Sequence, residues 1–73
     1  MYKVEYSGDS ETWRAFGASV GYGGILFQSP GEAWPVYQYV RTRYRRDTCS
    51  AVRIVDEEGA VVIAAPVVNA TPA

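Results

Sequence analysis

"SPGEAWPVYQYVRTRYRR", residues 29–46, is the stretch on which the fold turns. Ser29 can offer its hydroxyl oxygen to the free amides of a first helical turn. Pro30 suits the first helical position, and Glu32 stands at the capping-box position. Ala33, Val36, Tyr37, Val40 and Tyr44 then recur at i, i+3, i+4, i+7 and i+11, one apolar stripe of an amphipathic helix. Gln38, Arg41, Thr42 and Arg45 fall opposite. Pro35 lies in the second turn, where it removes a hydrogen bond and crowds the carbonyl four residues back. Either Ser29 to Trp34 is a separate turn with the main helix beginning at Pro35, or the helix is continuous with a bent start, which is the expectation. Asp47 and Thr48 close the pattern.

Upstream of this helix, Tyr2, Val4 and Tyr6 alternate with Lys3 and Glu5, the period of a half-buried strand. "SGDSE" is a turn cluster, and Thr12 to Phe16 reads as the returning strand of a hairpin. Glycine occupies four of the eight positions from Gly17 to Gly24. The spacing matches neither a dinucleotide fingerprint nor a P-loop, so these glycines are read as a bend or loop rather than a phosphate cradle. "ILFQ", residues 25–28, is expected to be a short third strand.

Downstream, "AVRIV" and "AVVIAAP" are apolar strand runs joined by "DEEG", with Gly59 able to supply positive φ. Pro66 and Pro72 discourage further strand pairing. The predicted order is β-β-β-α-β-β, an α+β domain of about five antiparallel strands packed on one helix. A single domain is expected over residues 1–66, with a tail at 67–73. The expected core is Val4, Ile25, Phe27, Val36, Val40, Tyr44, Val52, Ile54, Val61 and Ile63, selected by period 2 on strands and 3.6 on the helix.

At 73 residues the chain is near the lower limit for burying its own core, a size at which partner subunits often help. Cys49 is the only cysteine and there is no histidine, which excludes an internal disulfide and a Cys/His metal cluster. The N-terminus has no apolar signal-peptide core, and no apolar run approaches the ~20 residues of a membrane span. Together with the lone thiol, this points to a reducing cytoplasm.

Catalysis is not expected. The commonest general base is absent, Cys49 has no histidine to activate it, and Asp56, Glu57 and Glu58 lack the spacing of a calcium loop. No catalytic, cofactor or metal residue is assigned. What remains is binding. Arg41, Arg43, Arg45 and Arg46 hold four of the seven basic residues, while Asp56, Glu57 and Glu58 hold three of the eight acidic ones. Arginines near a helix end offset its dipole, which accounts for one or two of them. Four are harder to explain, because Arg41 and Arg45 at i, i+4 repel each other.

Tyrosine and arginine together are enriched at protein interfaces, so Tyr39, Arg41, Arg43, Arg45 and Arg46, with the opposite charge of Asp56 to Glu58, form the candidate partner-binding set. Tyr39, Arg43 and Trp34 are expected on one flank of the helix. The alternative is direct nucleic-acid binding, with the arginines on phosphates and Tyr39 as a stacking platform. A net charge of −1 counts against it. A third class is a self-assembling subunit or homodimer that uses its tyrosines and a sheet edge.

Residues 29–65 also resemble small phage-encoded anti-CRISPR-type inhibitors. The shared pattern is a helix capped at Ser29, the hydrophobic-Arg-hydrophobic strand Val52-Arg53-Ile54, the acidic turn Asp56 to Gly59, and the apolar strand from Val61. Those proteins set a few antiparallel strands around one helix and occupy nucleic-acid-binding surfaces of an effector complex. The resemblance implies a larger protein or ribonucleoprotein as partner and assigns no residue a role.

Overall fold

The computed structural model of the chain describes residues 1–18, 24–45 and 48–68. The alternating N-terminal segment forms β1 (Tyr2–Ser7), and its return forms the two-residue β2 (Arg14–Ala15). After α1 (Pro30–Arg43) come β3 (Ala51–Asp56) and β4 (Val61–Pro66). All pairings are antiparallel and the sheet order is β2-β1-β3-β4, so the crossover through α1 returns the chain to the inner side of β1.

The strand count is four rather than five. Ile25 to Gln28 makes no strand and contributes one isolated bridge between Tyr2 and Phe27. The outer side of β1 is covered piecemeal: Phe16 N–H donates to Val4 C=O at 2.7 Å, and Tyr2 and Phe27 exchange bonds of 2.7 and 2.8 Å. A full third strand has no room there. Residues 19–23, in the middle of the glycine-rich stretch, lie outside the described residues.

α1 begins as its cap residues dictate. The Ser29 hydroxyl accepts from Glu32 N–H at 3.2 Å, and Pro30 opens the helix. The Glu32 carboxylate accepts from Gln28 N–H at 3.0 Å, one residue further back than in a capping box. Helix continues through Pro35. The carbonyl deprived of its donor there belongs to Gly31, and both residues are exposed, so water can serve it.

The helix ends at Arg43, earlier than the sequence pattern suggests. Tyr44 caps it in an extended conformation, with its N–H on Val40 C=O at 3.1 Å. Its ring packs edge-on against Tyr6, centroids 5.2 Å apart. Arg45 C=O then accepts from both Thr48 N–H (3.2 Å) and Cys49 N–H (2.8 Å), a turn into β3.

One face of the sheet packs on α1. Val4, Val52 and Ile54 from the strands meet Ala33, Tyr37 and Val40 from the helix, with Cys49 and Val67 closing the cluster. Of the expected core, Val4, Val40, Val52 and Ile54 are buried, and Phe27, Val36, Tyr44 and Ile63 pack partly buried against them. Ile25 and Val61 are exposed instead. Ile25 is in no strand, and Val61 sits where a register shift at Ile54/Val55 distorts the start of β4. Val67, at the expected start of the tail, is buried and donates its N–H to Ser50 C=O at 2.9 Å; residues 69–73 lie outside the described residues.

Candidate interaction surfaces

The two charged segments lie at opposite ends of the sheet. The Tyr2–Phe27 bridge sets the start of α1 beside the end of β3, where Asp56 to Gly59 turn into β4. The helix therefore ends at the other side, where Val68 N–H donates to Arg41 C=O at 2.8 Å. Six-residue strands separate these ends by roughly 17–20 Å.

The acidic turn is held largely by its own bonds, and Glu57 Oε1 also lies 3.7 Å from the N-terminal ammonium of Met1. The Asp56 carboxylate accepts from Glu58 N–H and Ala60 N–H, each at 2.9 Å, and Gly59 takes φ +86°. Asp56 is thereby committed to its own loop, while Glu57 and Glu58 face solvent. Among the described residues no three His, Cys, Asp or Glu side chains gather as a metal ion would need.

The arginine segment is not one helical face. Arg41 and Arg43 are on α1, Arg45 follows the helix, and Arg46 lies outside the described residues with Asp47. The i, i+4 repulsion expected between Arg41 and Arg45 therefore does not arise in helical geometry. Arg41 is half-buried, its Nε wholly so and without a hydrogen-bond partner among the described residues. Beside this end, residues 8–12 add Asp9 and Glu11, so the charge there is mixed.

Tyr39 is 49% exposed, with its ring edge-on to Phe16 and Tyr44. Trp34 is 43% exposed and tilted over Tyr37 at 5.1 Å. Five residues apart on a helix means about 140° of rotation, so Trp34 does not share the Tyr39–Arg43 flank.

Asp9 organises the loop after β1. Its carboxylate accepts from the Ser7 hydroxyl (2.9 Å), Glu11 N–H (2.9 Å) and Thr12 N–H (2.8 Å). These bonds, led by that from Thr12, hold its pKa down at about 2 against an ordinary 3.8. Cys49 is buried, with its thiol on Ala51 C=O at 3.7 Å, and burial pushes its pKa up. Such a thiol is a poor nucleophile.

Two features escaped the sequence reading. On the sheet face away from α1, Glu5 and Arg53 stand opposite each other, and Arg53 Nε and Nη2 both reach Glu5 Oε1 at 2.8 Å. Trp13 lies over the guanidinium, 3.9 Å from ring centroid to Cζ. The alternation of Lys3 and Glu5 and the lone Arg53 within an apolar run were its signals.

The second feature is the β4 edge. Tyr2 and Val4 turn their backbone groups away from β3, so Lys3, Glu5 and Ser7 face it. By the same alternation Val52 and Ile54 face β4, where Ala65 and Ile63 answer them. The backbone groups of Val62, Ala64 and Pro66 then point outward, and no hydrogen bond reaches them among the described residues. Val61 is 50% and Val62 47% exposed, and the strand carries no charge.

Comparison with protein-family models, curated proteins and solved structures finds no match to this chain.

Proposed function

We propose that this chain is a small non-catalytic binding protein that works through protein–protein contact. The observation that carries the reading is the pairing of exposed Tyr39 with Arg43 one turn on, at one end of a sheet whose other end presents Glu57 and Glu58. Aromatic and arginine side chains anchor protein interfaces, and separated charges steer and orient an approaching partner. A buried, raised thiol and the absence of histidine support a role without catalysis. The finer proposal is a phage-type inhibitor of host nucleic-acid machinery, resting on the pattern of residues 29–65. The target would then be a larger protein or ribonucleoprotein.

Affinity capture with the purified chain tests this. Wild type should retain one defined protein or ribonucleoprotein, and Tyr39→Ala with Arg43→Glu should lose it while melting within a few degrees of wild type. Equal retention by the variant overturns the reading. Direct nucleic-acid binding is the competing outcome. Four arginines on phosphates would give log affinity against log salt a slope of about −3 to −4. No mobility shift at low salt removes that alternative.

A further inference from the structure

We infer that two copies of this chain associate through β4, pairing antiparallel about a two-fold axis to make a continuous eight-stranded sheet. This goes beyond the reading above, uses a different surface, and is tested on the purified chain alone.

Three observations converge on a second copy as the occupant. The first is the edge itself. Natural edge strands are shielded by charge, bulges or proline, because unpaired N–H and C=O groups template another strand. β4, "VVIAAP", has no charged residue. Its register irregularity lies at the start and Pro66 at the end, which leaves the outward groups of Val62 and Ala64, unbonded among the described residues, between them. Pro66 falls on the outward row, so it costs no bond to β3.

The second is self-complementarity. In an antiparallel pair centred on Ile63, Val62 of each copy stands opposite Ala64 of the other, and these two outward residues exchange N–H···O=C bonds. Val61 and Val62, half exposed in the single chain, come under cover. The axis is perpendicular to the sheet, so both helices lie on the same face.

The third is charge. Antiparallel pairing brings the start of one β4 beside the end of the other. Glu57 and Glu58 precede that start, and the end leads to Val68, bonded to Arg41 at the close of α1. Each copy's acidic turn therefore lies toward the other's arginine end. Parallel pairing would set like charges together instead. The association also stops at two. The opposite edge is occupied by Arg14–Phe16 and Phe27, so the isologous contact closes on itself and no fibre grows.

Sedimentation equilibrium over a range of concentrations tests the inference. Wild type should move reversibly from one chain mass to two. Val62→Lys and, separately, Ala64→Lys alter exposed side chains and should each raise the dimer dissociation constant roughly tenfold or more, with the melting point of the monomer retained. Glu57→Lys with Glu58→Lys should also weaken the dimer, and adding Arg43→Glu should recover part of the loss. Trp34→Ala, on α1, should leave the dimer unchanged. A chain that stays monomeric at every concentration overturns the inference. So does a dimer indifferent to both lysine variants or abolished by Trp34→Ala.

Discussion

The two edges of this sheet have opposite characters. The β2 side looks weak on paper, with only two residues in the strand, yet its backbone is spoken for. β1 is bonded along that side to Arg14–Ala15, to Phe16 and to Phe27, and Phe16 C=O takes a further bond from Ile25 N–H at 2.9 Å. The β4 side looks strong, a six-residue apolar strand in full register with β3 over most of its length, yet among the described residues no hydrogen bond reaches its outer row. Strand length and edge protection are thus separate properties. Irregular chain laid along an edge seals it better than a regular strand, which reproduces the exposed row it was meant to cover.

The largest effect should come from the strand between the edges. Ile54 is fully buried against α1, and Ile54→Ala should cost about 2–5 kcal/mol in denaturant unfolding. Val62→Ala on the neighbouring β4, measured at concentrations where the chain is monomeric, should change stability by less than about 0.5 kcal/mol. Similar costs at both positions would mean that β4 is not the open edge described.

The sealed edge can be broken at Gly24. Its φ is +114°, and a Cβ there would lie 2.6 Å from Ala15 Cβ, so the chain passes β2 at backbone distance. Gly24→Ala should destabilise by about 1–3 kcal/mol from strain at positive φ, with contact to Ala15 added to it. A neutral substitution would show that the segment does not press on β2.

Trp13→Ala should cost about 0.5–1 kcal/mol in lost attraction to Arg53, together with some packing. The change should be smaller in Arg53→Met, where the ring has no cation to face. Equal losses in both backgrounds would place the contribution in packing alone.

The smallest effect is one of pH. Asp9 titrates at about 2 in the folded chain and near 3.8 when free, so between those values the unfolded chain binds more protons. Its contribution is complete above pH ~4 and fades as pH falls toward 2. Asp9→Asn should remove that part of the acid dependence, seen as a shallower loss of melting temperature below pH 4. An unchanged acid profile would show that the loop bonds do not hold the carboxylate.

The sequence made the helix and the central strands legible because each carried two agreeing signals. Ser29 and Pro30 marked a start that the Ala33–Val36–Tyr37–Val40 stripe confirmed, and the alternation of Tyr2 to Tyr6 matched the apolar run at Val52 and Ile54. The edges carried no such agreement. "ILFQ" has the composition of a strand, but pairing is set by what already lies on β1, which one segment cannot reveal. The helix end was misplaced because arginine and tyrosine are acceptable helix residues, while the chain leaves the helix at Tyr44, whose ring packs on Tyr6 and Tyr39. Among the candidate binding residues, the charges at Arg43, Arg45, Glu57 and Glu58 were readable as patches. Their location at opposite ends of one sheet depends on the crossover, a property of topology rather than of any local pattern.

Amide exchange, resolved by residue, tests the open edge most directly. Ile63 and Ala65 face β3 and should exchange slowly at every concentration. Val62 and Ala64 face outward; they should exchange rapidly in dilute solution and slow as concentration rises and the second copy covers them. If all four amides are equally slow in the dilute monomer, the edge is already covered within one chain. If Val62 and Ala64 stay fast while the mass doubles, the copies meet elsewhere, and the account of β4 is wrong.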